Sequence, residues 1–101
     1  MTTTDVTMVR IYLSEEDAEL EPMLDYLHDQ ERVRGVTVYR GIAGFGMNGT
    51  MHDSSFIDLS TDLPVVIEFF EEPDKAAAVI EHLSESIEPG HIVQWAARMN
   101  G

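Results

Sequence analysis

Arg40-Gly41-Ile42-Ala43-Gly44-Phe45-Gly46, the heptapeptide at 40–46, follows one run of alternating apolar residues and opens a polar stretch that ends at Pro64, where another apolar run begins. Gly41, Gly44, Gly46 and Gly49 lie too close together for a strand or helix interior, since each costs backbone entropy and offers nothing to pack. The segment from about Ala43 to Asp62 is therefore expected to be a long loop joining two strands. It carries Phe45, Met47, Met51, Phe56 and Ile57, which a purely solvated linker tends to lack. Loops of this length are usually functional, so it reads as a binding loop that orders partly on its own protein and partly on a partner. The plainer alternative is a hairpin excursion with a small hydrophobic anchor.

Upstream, Val36-Thr37-Val38-Tyr39-Arg40-Gly41-Ile42 has the two-residue period and β-branched character of a strand. Before it, Leu20, Met23, Leu24 and Leu27 recur at helical spacing and predict a helix from about Glu19 to Arg34. Ser14 and the acids Glu15, Glu16 and Asp17 signal its start, and Gly35 is expected to supply a left-handed stop. Met8 to Leu13 reads as the first strand, with residues 1–7 a flexible N-terminus. Downstream, Pro64 suits a strand beginning, and Val65-Val66-Ile67-Glu68-Phe69-Phe70 is apolar enough to be central or covered on both faces. Glu71-Glu72-Pro73-Asp74 leads into a second helix with Ala76, Val79, Ile80, Leu83 and Ile87 as its stripe, closed at Pro89-Gly90. His91 to Arg98 is the last strand.

The order β-α-β-β-α-β predicts a single α+β domain over residues 8–101. It is the ferredoxin-like arrangement, a four-stranded antiparallel sheet with two helices on one face. Alternation sends Tyr12, Tyr39, Val66, Phe70 and Trp95 toward the other face, which is too apolar to stay wet, so subunits are expected to meet through their sheets.

Nineteen acidic residues against six basic ones give a formal charge of −13, with Lys75 the one lysine. Such a chain repels nucleic acid, whose non-specific affinity comes from Lys and Arg. It is also the composition expected of a protein that works at high salt. The absence of cysteine excludes disulfides, thiolate metal sites and thiol nucleophiles. No apolar run approaches the roughly 20 residues of a spanning helix, and Met1-Thr2-Thr3-Thr4-Asp5 has neither a basic region nor an apolar signal core. A cytoplasmic protein without membrane insertion is expected.

Three ordered motifs, R-G-I-A-G-F-G at 40–46, H-x-S-S at 52–55 and L-S-x-D-L-P at 59–64 running into an apolar strand, resemble the PII-like family catalogued as domain-of-unknown-function family 190. The likeness runs from about Val9 to Arg98. By analogy with PII signal proteins and the CutA group, it implies a homotrimer with sheets packed around a threefold axis. It implies regulation more than catalysis: a small effector read at the cleft between subunits and signalled through the long loop to a transporter or enzyme. Nucleotide-binding PII proteins carry a glycine-bearing phosphate loop before the second helix and basic residues near the last strand. Here those places hold Glu71-Glu72-Pro73-Asp74-Lys75 and Arg98 alone, so a triphosphate would meet several acids.

The expected effector site, for an adenine nucleotide or smaller anion, comprises Arg40, Gly41, Gly44, Gly46, His52 and Arg98. A guanidinium clamps phosphate or carboxylate, and backbone amides of glycine-rich turns cradle anions. Arg40 reads equally well as half of an ion pair. Gly44 to Gly49 spells G-x-G-x-x-G, but no helix opens at Thr50, so the dinucleotide fingerprint lacks its context. The alternative function is CutA-like divalent-metal binding, with His52 and Asp53 as candidate ligands; His28 and His82 also have carboxylates near them, although no compact ligand spacing occurs. No cofactor is firmly implied beyond such an effector. Asp62 reads as a turn residue and Ser54 and Ser55 as caps without an activating base. A small enzyme would have to recruit Tyr12, Tyr39 and His91, and no acid-base pair is recognisable, so a non-enzyme is expected.

Overall fold

The computed structural model describes residues 2–14, 20–45, 51–53 and 63–101. Among them the elements run β1 (Thr3–Ser14), α1 (Leu20–Asp29), β2 (Val36–Arg40), β3 (Ala43–Phe45), β4 (Met51–Asp53), β5 (Pro64–Glu71), α2 (Pro73–Leu83) and β6 (Ile92–Asn100). The main sheet has the order β2-β5-β1-β6, and β3 pairs with β4 in a separate ribbon. Every pairing in the main sheet is antiparallel. This is the ferredoxin-like topology that the periodicity predicts.

Alternation builds the core. Along β5, Val65, Ile67, Phe69 and Glu71 are buried, while the residues between them are only half-buried. Val9 and Ile11 of β1 share that face and meet Leu27 of α1 with Ala76, Val79 and Leu83 of α2. Each fully buried aliphatic or aromatic side chain contributes about 1.5–3 kcal/mol. β5 is central, as expected, but among the described residues only its helix face is covered.

Four departures from expectation span more than two residues. Residues Thr3–Thr7, expected to be a flexible N-terminus, are strand: they pair with Ala96–Asn100 of β6. α1 ends at Asp29 instead of Arg34, and the left-handed residue is Arg32, with φ 54°, not Gly35. That turn is held from outside, because Lys75 Nζ donates to the Arg32 carbonyl at 2.6 Å. α2 ends at Leu83, well before Pro89-Gly90: the Ser84 hydroxyl takes the Ile80 carbonyl, and Ile87 reaches the core through a turn. The segment expected to be loop from Ala43 contains the β3–β4 hairpin. The start signal at residues 15–17 lies outside the described residues.

A polar knot ties α1 to α2. The Tyr26 hydroxyl donates to the Glu31 carboxylate, and His82 Nδ1 lies 2.9 Å from the same group. Hydrogen bonding to Glu31, with burial adding to it, pushes the Tyr26 phenol up to about 12 from its ordinary 10.0. A proton held more tightly in the folded state stabilises fully below the unfolded value, and that contribution is lost as pH rises through the folded one. Absorbance titration is therefore expected to show one of the three tyrosines ionising near 12. Tyr26→Phe should remove that late step alone, and an unchanged titration would refute the assignment.

Candidate functional site

The described parts of the three sequence motifs, residues 40–45, 52–53 and 63–64, meet at one corner of the sheet. Gly41 N–H donates to the Pro64 carbonyl at 2.7 Å, which closes the base of the 43–62 segment. A Cβ at Gly41 would lie 2.7 Å from Pro64 Cγ, and one at Gly44 would lie 3.0 Å from it. These two glycines are needed for the close approach to Pro64, a role that spacing alone does not reveal. In the hairpin, Gly44 stands opposite His52 in register. Arg40 is the exposed last residue of β2, opposite Val65. Gly46 lies outside the described residues, as do the side chains of the two candidate metal ligands, His52 and Asp53. Among the described residues, no group of three His, Cys, Asp or Glu could hold a metal ion.

Arg98 is elsewhere. On β6 it pairs in register with Asp5, whereas Arg40 connects through Val65 to Leu13. Asp5 and Leu13 are eight residues apart on β1, about 27 Å at strand rise. Three strand spacings add roughly 14 Å across the sheet. The two arginines thus occupy opposite corners of one chain, and no single chain brings them to one ligand.

Around Arg98 the surface forms a concavity of about 350 Å³, with Asp5, Thr7, Pro73 and Ala97 in its lining. Pro73 opens α2, so a helix start faces this hollow. That start is already capped, since Glu72 accepts the Asp74 N–H at 2.8 Å. Of the acids expected to repel a triphosphate here, Glu71 is turned inward. It accepts the Arg34 backbone N–H at 2.6 Å and lies 3.5 Å from both Arg34 Nε and Lys75 Nζ. Its charge is compensated, while Glu72 and Asp74 remain exposed.

Among the described residues, no element packs on the sheet face away from the helices. Register places Tyr39, Val66 and Tyr12 in one row across it, with Phe70, Met8 and Trp95 in another. Tyr12, Tyr39, Val93 and Trp95 are 41%, 50%, 45% and 40% exposed, a contiguous aromatic and aliphatic surface that a lone soluble chain would rarely present. His91 belongs to none of this: its Nδ1–H donates to the Tyr12 carbonyl at 2.7 Å, a structural bond. Among the described residues, no helix is long and apolar enough to cross a membrane.

The model of the DUF190 family, described as Uncharacterized ACR, matches residues 6–99. A UPF0166 protein of Aquifex aeolicus (strain VF5) is 32% identical over 80 residues, spanning 75% of this chain and 76% of that protein. Among solved structures, CPII, a nitrogen regulatory PII-like protein from Thiomonas intermedia K12 bound to ADP, AMP and bicarbonate, has a TM-score of 0.69 at 18% identity. The match covers 97% of this chain and 89% of CPII. CutA1 from Oryza sativa has a TM-score of 0.59 at 15% identity and covers 100% and 85%. Identities this low speak for the fold, which is PII-like.

Proposed function

This chain belongs to the DUF190 family, and we propose that it is a PII-like regulatory protein with no catalytic activity of its own. In this reading it assembles as a homotrimer and binds an adenine nucleotide or small anion where copies meet. Residues 43–62 then signal the result to a transporter or enzyme. The position of the two arginines carries the reading. Arg40 and Arg98 stand at opposite corners of one sheet, so they serve a common anion only when different copies supply them. The uncovered apolar sheet face supports the same conclusion, because association would remove it from water.

The ligand classes to try are those held by CPII: ADP, AMP and bicarbonate. A ligand at 100 times its dissociation constant stabilises the folded state by about 2.7 kcal/mol. Thermal unfolding is expected to shift upward with an adenine nucleotide, and the shift should disappear in both Arg40→Ala and Arg98→Ala. No shift with any of these ligands would sink the effector reading. Zinc and copper in the same screen test the CutA-like alternative, and metal stabilisation abolished by His52→Ala would replace it.

A further inference from the structure

The uncovered sheet face is electrically neutral in a chain that carries −13. By register, the charged residues pointing to it are Arg10 and Glu68, opposite one another on β1 and β5 among the described residues. Arg10 Nε donates to Glu68 Oε2 at 2.6 Å. The guanidinium also lies 5.3 Å from the centre of the Trp95 ring. One side chain is thus fixed across three adjacent strands, β5, β1 and β6. At the rim, Arg34 stacks on Phe70 and is matched by Glu71. Two copies approaching anywhere on the acidic helix layer meet like charges, whereas here each face carries no net charge. The occupant that fits this face is a second copy of this chain.

We propose that the Arg10–Glu68 pair, with Trp95, is the register key of that self-association. The inference rests on the reading that copies meet through their sheets. An apolar face built of tyrosines, valines and a tryptophan can slide over its mate in several placements of similar energy. A charge pair at its middle changes that. The Arg10 side chain retains 40% exposure, so covering the face strips water from donors that Glu68 does not fill. The acceptors a second copy's face offers are the Glu68 carboxylate and the hydroxyls of Tyr12, Thr37 and Tyr39. Only placements that bring one of them to the guanidinium avoid an unsatisfied buried charge, so the many placements open to an apolar face are narrowed to these few.

Sedimentation equilibrium over a concentration series tests this on the full chain and three variants, with far-ultraviolet circular dichroism as a check on folding. The wild type is expected to show a single oligomeric mass. Arg10→Met leaves Glu68 unpaired and should weaken association by roughly 100-fold or more. Arg10→Met with Glu68→Leu should associate at least as tightly as wild type, but as a mixture of masses. Arg10→Lys keeps the charge without the planar fork and should fall between them. A double variant with the same single mass as wild type would overturn the key while leaving sheet-face assembly intact. A wild type monomeric at every concentration would overturn the assembly itself, and the two failures are told apart by which protein shows them.

Discussion

Glu71→Ala is expected to destabilise the folded chain by about 3 kcal/mol, lowering the unfolding midpoint by roughly 12–24 °C. Glu71 is 3% exposed, the buried charged residue in this part of the core. Its two oxygens hold the Arg34 backbone N–H and face the Arg34 and Lys75 side chains. Lys75 in turn holds the Arg32 carbonyl. Removing the carboxylate therefore leaves a half-buried amide without its acceptor and releases the connection between α1 and β2. Arg34 and Lys75 are 43% and 38% exposed at their side chains, so both rehydrate, which keeps the cost below the upper end for broken buried pairs. Glu71→Gln retains an acceptor for the amide and should recover about half of the loss. Chemical unfolding of the three proteins measures this directly, and a loss under about 1 kcal/mol for Glu71→Ala would show that the connection stands without it.

Raising KCl from about 0.1 M to about 2 M is expected to lift the unfolding midpoint on the order of 10 °C, with most of the gain before about 1 M. The helix layer displays Glu21, Asp25, Asp29, Asp74, Glu81 and Glu85 at its surface. Arg10, Arg34 and Lys75 are engaged with Glu68 and Glu71, so they do little to balance that layer. The net repulsion of −13 charges opposes the compact state and is relieved as the Debye length falls from about 10 Å to about 3 Å. Saturation separates screening from a general salting-out effect, which keeps rising with concentration. A flat midpoint across the series would remove both this prediction and the suggestion of a high-salt habitat.

Element order was open to reading because it rests on local periodicity. Val9, Ile11 and Leu13 alternate because a half-buried strand has a period of two, and Ala76, Val79, Ile80 and Leu83 recur because one helix face meets the core. Even the uncovered face followed from alternation, since Tyr12, Tyr39 and Trp95 share a parity with Arg10 and Glu68. The glycines of the 40–46 motif were visible too, but their reason was not, because Pro64 lies far along the chain.

By itself, then, the sequence determined the β-α-β-β-α-β order of the main sheet and its helices, the ferredoxin-like class and the acidic character, all set by neighbours within a few residues or by composition. Only the tertiary structure decided that Thr3–Thr7 is strand, that the first helix stops before Arg32, and that Glu71 is neutralised instead of facing a ligand. It also decided that Arg40 and Arg98 lie at opposite corners of one sheet. Each of these depends on a partner dozens of residues away: β6 for the N-terminus, Lys75 for the Arg32 carbonyl, Arg34 for Glu71. Local propensity is blind to such partners, because strand pairing and side-chain reach between distant segments are set only when the sheet closes.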